Sequence, residues 1–541
     1  MIKLALALAA ALLPGTALAT TLVTNANGIQ SDADGKLVRF NGFLIGDDGK
    51  IAAVLQASDP RPAADKVVDA GGRTVLPGLI DAHGHVIGLG QAIMTLDLVG
   101  VQSLNELKAR LKAYAAANPG DGWIVGRGWN QEMWPVKAFP TAADLDSVVT
   151  DRPVMLERVD GHALVVNSRA LELVGVTAAT PVPSGGRIEN GLFVDTAMDI
   201  VTRTIPDPSP ADVDAALAAA QKAMLSVGLV AAADMGTSVR DWEALRRAGE
   251  AGTLKIRVFA YASGLPAWRD IHDSVPTGWE FRDRLALVGT KLYADGALGS
   301  RGALLKKPYS DVPGTRGLAV TPLDELAAAA DKVAEGGGQL AIHAIGDAAN
   351  AEVIGIFEKI GAKYGRYHRP RIEHFQIADQ RDIPRLKPAG IIASMQPTHQ
   401  TSDRLMAEAR LGPGRLDGAY AWNTVVKLGI PLAFGSDFPV ESPDPFPGLM
   451  AAVSREDMKG QPPGGWLPKE KLSLGQALHG FTRGAAYAGF TEKVMGAIAP
   501  GYWADFIIVD RDPTKVGPQD LGKTKVLETW VAGEKVFSAA N

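Results

Sequence analysis

The chain has 541 residues, of which 46% are hydrophobic and 21% are charged, and its formal net charge is −5. This composition is typical of a globular protein and excludes disordered, fibrous and multi-spanning membrane proteins. No long run of Lys or Arg could follow a phosphate backbone, so we do not expect a nucleic-acid partner. The length fits one large α/β domain with a smaller companion, or two to four unrelated domains.

Residues 1–19 have the pattern of a secretory signal peptide. Lys3 precedes an apolar stretch at 4–13, and Ala17-Leu18-Ala19 forms an A-x-A cleavage site. About ten apolar residues are too few to cross roughly 30 Å of hydrocarbon, which argues against a membrane anchor. We therefore expect cleavage after Ala19, a mature chain that begins at Thr20, a periplasmic or secreted location and no membrane attachment after cleavage.

The sequence contains no cysteine. Disulfides and a thiol nucleophile are therefore excluded, even though the predicted compartment would permit disulfides. A metal ion in this protein would have to be held by nitrogen and oxygen ligands.

Both ends of the mature chain consist of short strand-like runs between turn signals. Residues 20–76 and 491–541 both show this pattern, with predicted turns at Gly28 and Gly533 among others. Neither segment alone buries much apolar surface, so we expect the two to pair into one small composite β-sandwich domain.

The middle of the chain, about 77–490, alternates apolar strands with Ala/Leu-rich helical stretches. The predicted strands are 74–80, 229–234, 256–261, 287–293, 339–343, 370–374, 390–395 and 430–434. Eight apolar strands alternating with helices predict an α/β fold of the (β/α)8 (TIM) barrel type. The gap between the first two strands is too long for one crossover and predicts an insertion at about 86–228.

Side chains that could bind a metal ion or transfer a proton lie at or near the ends of five of these strands. They are His83, His85, Lys291, His343, His374 and Asp437. The carboxyl ends of barrel strands meet at one face, where active sites lie. His83 and His85 are two apart on an extended strand and point the same way, so both can reach one ion.

Each candidate also has a structural interpretation. A single strand-end His is commonly a hydrogen-bonded polar residue, a lone strand Lys is commonly a surface charge, and a strand-end Asp is commonly a helix N-cap. Four of the nine histidines occupy these strand ends, however, and the joint pattern favours a metal centre.

Several stretches resemble a known enzyme superfamily. The segment 77–85, PGLIDAHGH, is similar to the opening motif of the amidohydrolase superfamily. Further stretches resemble its YtcJ-like branch, amidohydrolase family 3, which includes N-substituted formamide deformylase. They are 126–130 (GRGWN), 158–162 (RVDGH), 295–301 (DGALGSR), 343–347 (HAIGD) and 435–439 (GSDFP).

The resemblance implies a centre with one or two divalent metal ions. His83, His85 and Asp437 would hold a first ion, and His343 and His374 a second. Lys291 would bridge them as a carbamate formed with CO2, although one ion with an unmodified Lys291 is also compatible. Zinc is the default for such ligands, and their type also admits iron, manganese or nickel.

The implied activity is hydrolysis of a carbon–nitrogen bond in a small amide, N-formyl or N-acyl compound by a metal-activated water. Asp437 would act as general base and then as general acid. His162, Trp129, Arg301 and Asp295 are the predicted substrate-binding residues. The alternatives are that Trp129, like Trp134, is insertion core and that Asp295 and Arg301 brace the loop after the fourth strand.

Other functions fit the same scaffold. A phosphotriesterase or lactonase shares the bridging lysine. A deaminase-type aminohydrolase has a catalytic Glu soon after the fifth-strand His, whereas residues 344–347 are AIGD. A non-catalytic exported binding protein is the alternative outside the enzymes. A homodimer is the default expectation for the assembly.

Overall fold

The computed structural model describes residues 20–131, 134–158, 163–183, 186–272 and 278–540. The predicted signal peptide lies outside these residues. The chain forms two compact units, and the second, Val86–Ala220, is inserted in the first, which comprises the described parts of Met1–His85 and Gln221–Asn541.

Short strands make up the N-terminal part of the first unit, whereas the second unit mixes strands with helices. The N-terminal strands are β1 (Thr21–Thr24), β2 (Asn27–Ser31), β3 (Leu37–Phe40), β4 (Gly42–Ile45), β5 (Ile51–Leu55), β6 (Lys66–Asp69), β7 (Thr74–Pro77) and β8 (Leu79–Gly84). The second unit contains α1 (Val86–Met94), β9 (Leu96–Asp97), α2 (Leu104–Ala117), β10 (Ile124–Trp129), α3 (Ala142–Asp146), β11 (Val154–Arg158), β12 (Ala163–Val166), α4 (Ser168–Val174), β13 (Gly186–Glu189), β14 (Leu192–Asp195) and α5 (Asp199–Thr202), and α6 (Pro210–Ser226) crosses its C-terminal boundary.

The remaining elements belong to the first unit. They are β15 (Leu229–Thr237), α7 (Val239–Glu250), β16 (Arg257–Ser263), α8 (Gly264–His272), β17 (Leu285–Tyr293), α9 (Leu323–Glu335), β18 (Gln339–Ala344), α10 (Asp347–Tyr364), β19 (Arg371–His374), α11 (Leu386–Ala389), β20 (Ile392–Met395), α12 (Pro397–Leu411), α13 (Trp422–Lys427), β21 (Leu432–Phe434), α14 (Pro445–Ser454), α15 (Leu474–His479), α16 (Ala485–Ala488), β22 (Phe506–Val509), α17 (Pro518–Leu521), β23 (Val526–Val531) and β24 (Glu534–Ser538).

Eight parallel strands form the predicted barrel. Their order is β8, β15, β16, β17, β18, β19, β20 and β21, and each pairs in parallel with the next. The strands are almost entirely buried, as expected when helices cover the outer face of a parallel sheet. The sheet closes just after β21, where Asp437 N donates to His83 O (2.7 Å) and His85 N donates to Phe438 O (2.8 Å).

The β-sandwich is built from both ends of the chain, as predicted. One sheet has the order β5-β4-β1-β6, and the other has the order β24-β23-β22-β7-β2-β3. Phe43 of the first sheet packs edge-on against Phe506 of the second at 5.0 Å, and Phe506 stacks on Trp530 at 5.1 Å. This shared apolar core explains why neither terminal segment needs to be stable alone.

One predicted strand, 74–80, is wrong as a single element. Its first half is β7, which pairs with β2 and β22 of the sandwich, and its second half begins β8 of the barrel. The chain passes between the two sheets at Gly78, where a Cβ atom would lie 2.6 Å from the Val230 side chain. Because the residues on both sides of this glycine are apolar, the sequence does not show that the chain passes from one sheet to the other here.

The second unit has a six-stranded sheet of its own, with the order β13-β14-β12-β11-β10-β9. One apolar cluster includes Leu107, Trp129, Trp134 and Val154, and another includes Phe193. Across the described residues of both units, no helix is long and apolar enough to cross a membrane.

Candidate metal centre

The six candidate residues of the barrel converge at the C-terminal ends of its strands. His83 lies in β8, Lys291 in β17 and His343 in β18, and His374 ends β19; His85 and Asp437 follow β8 and β21. His85 Nε2 lies 3.1 Å and His83 Nε2 lies 3.4 Å from Asp437 Oδ1. Lys291 Nζ lies 3.2 Å from His83 Nε2, and the His374 ring is 4.6 Å from the His83 ring and 4.5 Å from the His343 ring.

Asp81 fixes the first strand against the segment after the last strand. Its buried carboxylate accepts hydrogen bonds from His83 N (2.9 Å), Ser436 N (3.0 Å) and Ser436 Oγ (2.7 Å). Gly435 passes so close that a Cβ atom there would lie 2.5 Å from both Asp81 Oδ1 and His83 N. The site therefore requires glycine at this position because of close backbone approach.

Two candidate ligands are oriented by hydrogen bonds at their far ring nitrogens. His83 Nδ1 lies 2.6 Å from Glu373 Oε2, and Glu373 is paired with the buried Arg371. His374 Nδ1 donates to Gln396 Oε1 at 2.9 Å. Such partners fix the tautomer and leave the Nε2 lone pair for a metal ion.

Burial keeps these imidazoles neutral. It lowers the pKa of His83 to about 4 and that of His343 to about 3, with the nearby Lys291 charge as the second cause in each. The pKa of His374 lies well below its usual range for the same first reason. Neutral rings are the form in which histidine binds metal.

The two oppositely charged groups of the cluster also respond to burial. Burial lowers the pKa of Lys291 to about 8. Burial alone would raise the pKa of Asp437, but its electrostatic interaction with the His83 ring and the hydrogen bond with His85 hold the pKa well below its usual range. Asp437 is therefore a carboxylate at neutral pH, as a ligand or general base must be.

The donor set fits a divalent metal ion. Ligand atoms of His83, His374 and Asp437 lie within 4.8 Å of one another. His343 Nε2 is buried, has no hydrogen-bond partner among the described residues and lies 3.6 Å from Asp295 Oδ1. Neutral imidazole nitrogens and a carboxylate without sulfur suit zinc and related ions.

The backbone at two candidate ligands lies in the left-handed region. His374 has φ of 75° and Asp437 has φ of 63°. Aspartate adopts this conformation more readily than histidine, and such strain is concentrated at functional sites. The surrounding hydrogen bonds therefore hold the two ligands in conformations that the chain alone would disfavour.

The cluster forms the floor of a cavity of about 460 Å3 in the first unit. The apolar part of the remaining lining consists of Ala297, Leu298, Gly299, Ile345, Met406 and Val440. The polar part consists of Tyr293, Gln376, His399, Ser402, Asp403 and Glu441. The cavity is large enough for a small organic substrate.

The structure contradicts two of the four predicted substrate contacts, Trp129 and Asp295. Trp129 is fully buried in the core of the second unit, where its Nε1 donates to Leu156 O. Asp295 is also buried and accepts from three backbone N–H groups, including Leu304 N at 2.7 Å, so it braces the loop after β17. Arg301 pairs with Asp311 at 2.9 Å. His162, the fourth, lies outside the described residues.

The sequence analysis did not identify the supporting residues Glu373, Gln396 and Gln376. One signal was present, since Arg371 and Glu373 are charged residues two apart in a predicted strand and must therefore lie on the same side of it. The contacts of Gln376 and Gln396 depend on tertiary structure and have no local sequence signal.

A parallel barrel with nitrogen and oxygen donors gathered at the carboxyl ends of its strands is the arrangement expected of a barrel enzyme that uses a divalent metal. The profile of the amidohydrolase family matches residues 66–537, and the chain belongs to this family. It is therefore a hydrolase by family, and family membership suggests use of a divalent metal.

Relatives of the chain agree with this assignment. It is 34% identical to the putative amidohydrolase YtcJ of Bacillus subtilis over 486 residues, which are 87% of this chain and 90% of the relative. It is 26% identical over 543 residues to N-substituted formamide deformylase of Arthrobacter pascens, covering 95% and 97%. The crystal structure of an uncharacterized metal-dependent hydrolase from Pyrococcus horikoshii matches with a TM-score of 0.78 and 29% identity, covering 92% and 99%.

The Glu373 contact predicts a change in metal affinity. Glu373→Gln removes the charge that orients His83, and we expect about 10- to 100-fold weaker zinc binding, the usual effect of losing an outer-shell partner. Competition titration against a chelator measures this. The matched control is Glu470→Gln, which alters another buried carboxylate that accepts from Thr424 N and Oγ1. Equal affinities in the two variants would contradict the role of Glu373.

Proposed function

We propose that the protein hydrolyses a carbon–nitrogen bond of a non-peptide amide, of the N-formyl or N-acyl type. The supporting observation is the convergence of His83, His85, His343, His374 and Asp437 on one cavity, with Lys291 beside His83. The likeness to N-substituted formamide deformylase supports the bond type. Under this proposal the five His and Asp residues hold one or two divalent ions, with zinc the expected metal.

The chain's own groups have distinct roles in this reaction. A bound divalent ion would lower the pKa of a water molecule and polarise the substrate carbonyl. Asp437 accepts the proton that the attacking water loses and then donates it to the leaving nitrogen, so that an amine and a carboxylic acid are formed. The apolar wall of the cavity, including Leu298, Ile345 and Met406, holds the substrate and limits access of bulk water.

We also propose that Lys291 is carbamylated. Its Nζ is buried at the floor of the cavity and forms no ion pair with a described carboxylate. An ammonium group there would repel a metal ion, whereas reaction of the neutral amine with CO2 gives an anionic carbamate and releases one proton. The carbamate offers two oxygen atoms, enough to bridge two ions.

Export is a further part of the proposal. A mature protein that begins at Thr20 would reach the periplasm or the medium without needing disulfides, since the chain has no cysteine. Expression of the full chain in a Gram-negative host followed by N-terminal sequencing tests this. A protein that keeps residues 1–19 in the cytoplasmic fraction would contradict it.

The activity is tested by a hydrolysis screen of zinc-reconstituted protein with amides such as N-butylformamide, a lactone and a phosphotriester. We expect turnover of an amide, loss of turnover after chelation, and recovery when zinc is restored. His83→Ala should lower kcat/KM by at least about 100-fold, because loss of a ligand should exceed the loss of an outer-shell partner. A variant that matches the parent, or a parent with no stoichiometric metal by plasma mass spectrometry, would contradict the proposal.

The carbamate is tested by carbon-13 NMR of metal-loaded protein in carbon-13 bicarbonate. We expect a carbamate carbonyl signal in the parent and its absence in Lys291→Arg, because a guanidinium does not form a stable carbamate. Lys306→Arg is the matched control, since Lys306 pairs with Asp379 and Asp382 away from the metal centre. A fully active, metal-replete parent without the signal would show that Lys291 acts unmodified.

A further inference from the structure

His399 places an unused hydrogen-bond donor in the cavity. It lies in the first turn of α12, and its side chain is 9% exposed. Its Nε2 is buried and has no hydrogen-bond partner among the described residues; the carboxylate oxygen Asp437 Oδ2 lies 3.7 Å away, beyond hydrogen-bond distance. Leaving a buried polar atom unpaired is unfavourable, so this position favours a ligand that completes the bond.

The tautomer of His399 is set by its other ring nitrogen. Gln376 Nε2 lies 3.1 Å from His399 Nδ1, and an amide nitrogen can only donate. Nδ1 therefore accepts, and a neutral ring carries its hydrogen on Nε2. Tyr420 holds the backbone of this segment, since its N donates to Gln376 O (2.6 Å), and its hydroxyl donates to Asp403 Oδ2 at 2.7 Å.

The donor lies beside the metal centre without belonging to its ligand set. The His399 ring is nearly parallel to that of His374, with 21° between planes and 5.9 Å between centroids. The two carboxylate oxygens of Asp437 lie near different groups. Its Oδ1 faces the candidate ligands His83 and His85, whereas its Oδ2 faces His399. A group that enters the cavity next to His374 and Asp437 would meet the Nε2–H of His399.

We propose that His399 is a catalytic residue that donates a hydrogen bond from Nε2 to the carbonyl oxygen of the substrate. The bond strengthens as that oxygen gains negative charge, and the hydrogen stays on Nε2 throughout. This role rests on the proposed amide hydrolysis and is separate from proton transfer by Asp437. Loss of one such donor lowers kcat by roughly 10²–10³-fold in enzymes that use an oxyanion hole.

The test compares His399→Phe and His399→Gln in the metal-loaded, full-length mature protein. His399→Phe should lower kcat on N-butylformamide by about 100-fold, with KM changed less than kcat. His399→Gln should recover part of this loss, because its amide can donate from a similar position. The matched control is His368→Phe, since His368 is also buried and precedes β19, at the opposite end of that strand from the candidate ligand His374; its kcat should equal that of the parent.

A binding measurement distinguishes hydrogen-bond donation by His399 from metal ligation by His399. Methylphosphonate, a tetrahedral anion, is titrated calorimetrically into each metal-loaded protein, and metal content is measured in parallel. We expect weaker methylphosphonate binding in His399→Phe than in the parent and His368→Phe, with equal metal content. Loss of metal in His399→Phe would make His399 a ligand and overturn the proposal, as would unchanged kcat and methylphosphonate affinity.

The two proposals fail in different ways. If the parent hydrolyses no amide but His399→Phe still weakens methylphosphonate binding, the donor role at the site is supported and amide hydrolysis is wrong. If the parent and His399→Phe hydrolyse the amide equally, amide hydrolysis is supported and the role of His399 is wrong.

Discussion

The closure of the barrel between its first and last strands is the constraint on which the site depends. Asp81 accepts hydrogen bonds from the backbone of His83 and from Ser436, and Asp437 N donates to His83 O. The bonds made by Ser436 and Asp437 span about 355 positions of the chain and bring His83 of β8 and His85, which follows β8, to the carboxylate of Asp437. The close approach is possible because residue 435 has no side chain. Strands β17, β18 and β19 then add their side chains from the opposite part of the ring.

Burial has two consequences at this site. It removes water from the histidine rings, which lowers the pKa of each of the fully buried ones and keeps their lone pairs available. It also makes every unpaired polar atom costly, which favours the supporting contacts that Glu373 and Gln396 make with His83 and His374. Burial would raise the pKa of Glu373, but Arg371 and the bond to His83 lower it to about 2, and the carboxylate stays charged. Among the residues that line the cavity, the Nε2 atoms of His343 and His399 are buried without a hydrogen-bond partner and are therefore places for ligands.

Much of the fold and the centre could be predicted from the sequence. Apolar strands with polar residues at their ends can be recognised locally in the sequence. Because the C-terminal ends of barrel strands meet at one face, this pattern predicts that the six candidate residues lie close together, and they do. The double role of segment 74–80 could not be predicted, because both halves are equally apolar and only pairing partners tell them apart. The prediction for Trp129 is wrong for a related reason, since a tryptophan in a motif looks the same whether it fills a core or lines a pocket. The partners of His399 and His374 are glutamines distant in sequence, and no local spacing predicts them.

The central claim is that these residues hold a divalent ion, and anomalous diffraction from crystals of zinc-reconstituted protein tests it most directly. The account predicts an anomalous peak at the zinc edge bounded by His83, His374 and Asp437, with a second peak beside His343 if Lys291 bridges two ions. Zinc-loaded crystals with no peak at this cluster, or with a peak only elsewhere, would contradict it.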